Sequence, residues 1–399
     1  MKSTADVVCF SHLRWDFVFQ RPNHLISRCA LERRAFFWEE PIVDPSLPPG
    51  GARLDIRAVT GTLRVATPRL PAGLDAEAAE REQRRLLDAM MAEHAIRAPV
   101  LWFYTPMALG FAAHAPACAV VYDCMDELSA FLGAPPALVA REAELLQRAD
   151  LVFTGGRSLY EAKRLRHARV YPFPSSVDRA HFFRARVGRL AEPADQAEIP
   201  RPRLGYCGVI DERIDLALLA AIAEAEPSWQ IVMLGPVVKI DPASLPQRRN
   251  IHYLGQRSYA DLPAYLTGWS VALMPFAQND ATRYISPTKT LEYLAAGKPV
   301  VSTPIRDVVT PYGERGAVRI ADRTTFARQI AAALAAPGAM SLAADALVAR
   351  TSWDRTWREM WSLVEGVVRR RARSGAEAPL PPTETADESA EGRRSCSTI

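Results

Sequence analysis

The chain has 399 residues, about half of them apolar, and a formal net charge of +4. That length exceeds one ordinary core and points to two domains, while so small a charge gives no ground for nucleic acid as a partner. The six cysteines are scattered with no CxxC pair, which speaks against a zinc site or disulfide framework and fits a reducing cytosol.

Taken in chain order, the start "MKSTADVVCFSHLRW" lacks an apolar run of signal-peptide length, and no later segment approaches a bilayer span. "DVVCFS" reads as a short buried strand, "VFQRPNHLISRCALE" as a helix and "RAFFWEEP" as a strand. "AEREQRRLLDAMMAEHAI" is a polar helix with an apolar stripe, and "PVLWFY", "AVVYDC" and "ADLVFTGG" are three more buried strands. Strands separated by helices predict a parallel, doubly wound α/β sheet. After "VGRLAEPADQAEIPRPR", which reads as a linker, the rhythm restarts with "RLGYCGVI", "WQIVMLG", "NIHYLG" and "VALMPF". The expected plan is a first domain at 1–183, a linker at 184–202, a second domain at 203–350, a closing helix at 351–372 and a disordered tail at 373–399. Two similar domains imply a ligand in the cleft between them, at the carboxyl ends of the strands.

The stretch "ISPTKTLEYLAAGKPVVSTP" predicts a complete helix followed by a strand. Ser286 suits the N-cap, Pro287 the first position and Gly297 the C′ position, which places Lys289 at N3. A cation there opposes the helix dipole. Either it reaches out into water, or an anion sits on the free amides after Ser286 with Lys289 over it. Glu292, three residues on, shares its face; the pair reads equally as donor site or as an ordinary surface pair.

The loop "SHLRWDFVFQRPNHL" after the first strand carries His12, Arg14, Trp15 and Asp16. Dense polar groups there suggest contact with an acceptor or donor sugar. Trp15 suits stacking on a sugar or packing under the loop, and Asp16 suits a base or the cap of the next helix. "YDCMDELSAF" ends another strand with Asp123, Asp126 and Glu127. They suit a general base, a helix cap or, least, a divalent metal. His12, Asp16 and Asp123 are the candidate catalytic groups, and Arg14, Trp15 and Asp126 the candidate acceptor contacts. No metal site is expected. In "TGGRSLYEAK", Gly155 and Gly156 allow a close approach or a tight turn, and Ser158 suits an N-cap. Trp357 and Trp361, followed by Arg369 to Arg371, admit a peripheral membrane contact; the preferred reading folds that apolar face back onto the first domain.

"SPTKTLEYLAAGKPVVSTP" resembles the nucleotide-sugar motif of GT-B glycosyltransferases, above all the retaining group called glycosyltransferase family 4. "FPSSVDRAHF" is similar to the segment where such enzymes leave their first domain, which puts the crossover at Ser175 to Asp178. "YCGVIDERIDLALL" resembles the opening of their second domain, and "YLGQRSYADLPAYL" the segment that holds the base edge. "FSHLRWDFVFQRPNHL" and "YDCMDELSAF" resemble the bacterial enzymes of teichuronic acid and exopolysaccharide assembly, and glycosyltransferases fused to UDP-galactopyranose mutase. The resemblance implies a GT-B fold and a nucleotide-sugar donor, with a glycan or lipid-linked acceptor. Donor contacts would come from Gly208, Arg213, Arg257, Ser258, Ser286, Thr288, Lys289 and Glu292. No metal cofactor would be needed, and the work would be done in the cytoplasm or at the inner face of the membrane. A nucleotide-sugar epimerase and a noncatalytic binding subunit are the alternatives on the same fold. Two positions depart from the pattern: the family's first glutamate is Tyr284 here, and its Gly–Arg pair is Gly208–Val209, leaving Arg213 as the nearest cation.

Overall fold

The computed structural model describes residues 5–188 and 190–374. The first sheet contains β1 (Val7–Phe10), β2 (Ala35–Trp38), β3 (Ile42–Asp44), β4 (Arg53–Ala58), β5 (Leu63–Pro71), β6 (Val100–Phe103), β7 (Ala119–Cys124), β8 (Leu151–Thr154) and β9 (Val170–Pro172). Their order is β3-β5-β2-β1-β6-β7-β8-β9, with β4 antiparallel on β5 and every other pairing parallel. The second sheet contains β10 (Arg203–Cys207), β11 (Gln230–Leu234), β12 (Ile251–Gly255), β13 (Val271–Met274), β14 (Val300–Ser302) and β15 (Arg319–Ile320), parallel throughout in the order β12-β11-β10-β13-β14-β15. Each sheet reverses its winding once, between β1 and β6 and between β10 and β13. Such switch points open a crevice at the strands' carboxyl ends.

The five apolar runs read as strands in the first domain appear as β1, β2, β6, β7 and β8. The reading passes over β3 to β5 and the three-residue β9. The residues "RLDIRA" of β4 are half or fully exposed, and β5 carries two prolines, so neither presents the continuous apolar run of a strand buried on both faces.

The chain passes from the first core to the second between Phe173 and Val177, and returns between Val348 and Trp353. Residues 184–188 and 190–202 lie on the second domain: Ala185 and Ile199 enter its core, and the buried Gln196 accepts from Trp269 Nε1 at 2.8 Å and donates to the Tyr265 carbonyl at 2.9 Å. The closing helix, Trp353–Ser374, buries Trp353, Trp357, Met360, Trp361, Val364 and Val367 against the first sheet. Its apolar face is therefore used inside the protein. Arg371 pairs with Asp150 at 2.8 Å. Among the described residues, no helix is long and apolar enough to cross a membrane. The expected disordered tail falls mostly on residues 375–399, outside the described residues.

Candidate functional site

The helix that carries Lys289 runs Thr288–Ala295. Its N-cap is Pro287, not Ser286, so Lys289 stands at N2 rather than N3. Proline fixes its own φ and has no N–H to satisfy, so it closes the extended "ISP" approach without a side-chain cap. At the other end Gly297, at φ +72°, and Lys298 return their N–H groups to the carbonyls of Leu294 and Tyr293 at 3.0 and 2.9 Å, a Schellman cap as the sequence predicts. Gly208 adopts φ +153°, and a Cβ there would lie 3.2 Å from Lys289 Cε and 2.8 Å from the Tyr206 hydroxyl. The missing side chain leaves room for the lysine stem at the end of β10.

Lys289 Nζ lies 3.4 Å from Glu292 Oε2. Burial works most strongly against its charge, but Glu292 and Cys207 together offset this and raise its pKa. Glu292 is 4 % exposed, and its Oε2 accepts no hydrogen bond among the described residues. The hydroxyl of Tyr259 is likewise buried without a partner. A carboxylate oxygen held only by its ion pair with Lys289, beside a hydroxyl with no partner, forms a cradle with room for a polar ligand. Arg213 is clamped by Asp211, with Nε–Oδ1 at 2.9 Å and Nη2–Oδ2 at 2.7 Å. Burial opposes its charge, and Asp211 outweighs burial and keeps it protonated. Arg257 is held by Asp195 and by the Tyr265 hydroxyl at 2.6 Å, and Ser258 donates to Asp261 at 2.7 Å.

Arg213, Lys289, Thr288, Ser286 and Gly208 line one cavity of about 110 Å³, closed from the first domain by Gln20, Arg21 and Asp126. A wider space of about 550 Å³ continues from Lys289 and Gly208 past Tyr259, Ser258 and Arg257 to Trp15 and Asp16. Asp126 sits opposite the cations. Burial pushes its carboxyl up to about 6, against the pull of Arg213, Arg21 and Lys239, which leaves it ready to take or give a proton near neutral pH.

The other first-domain candidates have different places. Asp123 is 0 % exposed and bound by Arg21, with Nη2–Oδ1 at 2.8 Å and Nε–Oδ1 at 3.1 Å. It holds that arginine in position beneath the cleft and does not stand open to an acceptor, as a base would. Glu127 turns away to Lys163 at 2.6 Å, so the three carboxylates do not converge on a metal. Asp16, read as a base or a cap, is exposed and paired with Arg57, and Gln20 takes the N-cap of the next helix. Trp15 is 8 % exposed and meets Phe37 edge-on at 5.0 Å, with its backbone N–H donating to Glu39 at 2.7 Å; packing is the role its contacts show. Arg14 is held by Glu39 at 3.2 Å. His12 is half-buried with Nδ1 unpartnered, and burial lowers it to about 4, so it is neutral at pH 7.

Ser158 is not a cap. Gly156 takes the N-cap position, and Ser158 N donates across the domain boundary to Asp307 Oδ1 at 3.1 Å. The close approach at Gly156 is that of Asp307 and Ser286 from the second domain, and at Gly155 that of the Met125 backbone. Tyr284, in place of the expected glutamate, packs against the first domain's core under Arg283. Sequence reasoning missed Asp211 and Tyr259. "IDERID" carries a signal for the first, an acid two residues before the arginine; nothing local marks the second.

Residues 201–336 match the family model described as Glycosyl transferases group 1. TuaH of Bacillus subtilis, a putative teichuronic acid biosynthesis glycosyltransferase, is 26 % identical over 204 residues, 46 % of this chain and 50 % of that protein. The chain thus spans about half the length of this relative. Sucrose-phosphate synthase from Thermosynechococcus elongatus superposes with a TM-score of 0.67 at 16 % identity, covering 93 % of this chain and all of the other. Anabaena HepE in complex with UDP does so at 0.61 and 12 % identity, over 92 % of this chain and all of the other. The fold is therefore GT-B. Its second domain carries the group 1 glycosyl transferase match, and the chain resembles a teichuronic acid glycosyltransferase.

Proposed function

We propose that the protein transfers a sugar from a nucleoside diphosphate sugar, a UDP-sugar first, to a hydroxyl of a glycan or lipid-linked acceptor in the assembly of a cell-surface polysaccharide. The supporting observation is the cavity where Lys289 and Arg213 of one domain face Asp126 of the other. Charge grows on the diphosphate as it departs, and two fixed cations and the amides beginning helix Thr288–Ala295 lower that barrier. Glu292 Oε2 and the Tyr259 hydroxyl have free valences for ribose. Asp126, ionised above about pH 6, accepts the acceptor's proton. The name of the similar B. subtilis protein supports a cell-surface polymer as product, and the family resemblance supports retention at the anomeric carbon. The same reading places the work at the cytoplasmic face of the membrane and requires no metal, since Lys289 and Arg213 supply the charge.

The test is to incubate the full chain with UDP-glucose, UDP-galactose, UDP-N-acetylglucosamine and UDP-glucuronate, with and without glycan acceptors, and follow UDP release and product mass. Acceptor-dependent release that survives EDTA is the expected result. Loss with EDTA and rescue by Mn²⁺ would bring in a metal. Conversion of donor without acceptor would select an epimerase. Donor binding with no turnover under any acceptor would select a binding subunit.

A further inference from the structure

A third cavity, of about 710 Å³, lies beside the hinge. Both chain crossings form its walls, Phe173 to Ser176 going out and Arg350 to Thr356 coming back. Ser175 and Ser286 line this cavity and also the one that holds Lys289. The Ser175 hydroxyl donates to the Ser286 carbonyl at 2.9 Å, so this pair is the wall between the two.

The lining has two characters. Tyr160, Phe173 and Tyr312 supply rings, and Arg157, Arg315, Arg350 and Arg355 supply charge from separate elements. Two carboxylates also face it, and both are engaged: Asp307 by Ser158, and Glu359 by Arg355 at 2.7 Å. Arg315 and Arg350 form no ion pair among the described residues. Ser176, 2 % exposed, lines the cavity with a hydroxyl that has no hydrogen-bond partner. A buried hydroxyl without a partner is uncommon and marks a place where a polar ligand completes the structure.

We propose that this hinge cavity binds an anionic saccharide, a sugar ring bearing phosphate or carboxylate. The choice of a saccharide rests on the glycosyltransferase reading; the choice of an anion rests on the arginines. Guanidinium groups meet planar acid groups through paired N–H donors, and aromatic faces meet a sugar ring's apolar face. A ligand wedged between both crossings stabilises one angle between the domains, and through the Ser175–Ser286 wall it acts on the start of the Lys289 helix. The ligand has two sources: a free sugar phosphate, or an acidic residue of the growing glycan.

The experiment is calorimetric titration of the full chain held at saturating UDP, so that the Lys289 cavity is filled. One arm adds glucose 6-phosphate and the other a hyaluronan tetrasaccharide. At least one should bind, and the Arg315→Ala/Arg350→Ala variant, altered only at exposed side chains, should bind it about fivefold or more weakly. The same variant should bind UDP within about twofold of wild type, which shows that it folds and that the two sites are separate. Binding in the first arm assigns a free sugar phosphate, and in the second a glycan. No binding in either arm, or equal binding by the variant, overturns the proposal. Failure of UDP itself to bind wild type is a different result: it sinks the donor site, and both arms are then run without UDP.

Discussion

At the scale of single residues, Lys289 shows how a neighbour changes the sign of an effect. The helix dipole alone makes a lysine at the helix start unfavourable, so its removal should leave the empty protein unchanged or slightly more stable. The structure adds Glu292 at 3.4 Å, buried and with no hydrogen bond to Oε2. Lys289→Gln therefore leaves a buried carboxylate without its counter-charge, and the apo protein should lose about 1–3 kcal/mol, seen as a lower Tm. Donor binding should weaken by roughly one to two orders of magnitude as a charge-assisted contact is lost. A Lys289→Gln protein with wild-type UDP affinity would remove the diphosphate from this helix. Asp126 makes a prediction in pH. Its carboxyl, raised to about 6 by burial, is the working form only when ionised, so transfer should fall about tenfold per unit below pH 6. Asp126→Asn should be slow with no such acid limb. If the variant keeps both the wild-type rate and profile, Asp126 serves only as a neighbour of Arg213.

Among the elements, the closing helix ties the end of the chain to its beginning. Trp357 stacks on Trp361 at 5.3 Å and faces Trp102 of β6 at 5.9 Å, while the Arg33 guanidinium lies 3.7 Å over Trp361. Trp357→Ala opens a hole in that layer and should destabilise the first domain by about 3–5 kcal/mol, measured by urea unfolding followed through far-UV circular dichroism. A loss below about 1 kcal/mol would mean the helix detaches in solution. The sequence carried this element well, because tryptophans at helical spacing have few other uses. It carried the buried strands equally well, since β1 and β6 are unbroken apolar runs and β7 is apolar but for Asp123. The candidate site's local geometry was legible where it depends on spacing, as with the shared face of Lys289 and Glu292 and the Gly297 cap. It was not legible where a partner distant in sequence decides a side chain's role. Asp123 looks like an open acid until Arg21, 102 positions away, is seen to take it, and Ser158 looks like a cap until Asp307 arrives from the other domain. Asp126, read as an acceptor contact, owes its raised pKa to burial, which no local spacing reveals.

For the whole molecule, the domains meet through an aromatic cluster in which nothing is charged at neutral pH. Tyr259 of the second domain stacks on Phe19 of the first at 4.5 Å and on His181, just past the outgoing crossing, at 4.4 Å. His24 stacks on Trp353, where the chain returns, at 4.6 Å. Gln256 also donates to the Phe17 carbonyl across the same boundary. Burial lowers His24 to about 2 and His12 to about 4, and lowers His181 as well. Each of these values lies below that of the unfolded chain, near 6.5. As pH falls through 6.5 the unfolded or opened chain takes up protons that the closed form refuses, so stability is lost on the acid side. Asp126 works the other way, because its folded carboxyl at about 6 binds a proton earlier than an unfolded one does; one such group does not balance the histidines. Between pH 6.5 and 5, His24 alone should cost about 2 kcal/mol, equivalent to a fall in Tm of several degrees for a domain of this size. His24→Phe keeps the ring packing and cannot titrate, so its Tm should fall distinctly less over the same range. The measurement is Tm from pH 7.5 to 5 for both proteins, with small-angle scattering at each pH to follow the separation of the domains. Parallel curves for wild type and variant would show that His24 is already wet, with the domains apart in solution, and that the cavity shared by Lys289 and Asp126 forms only when a ligand draws them together.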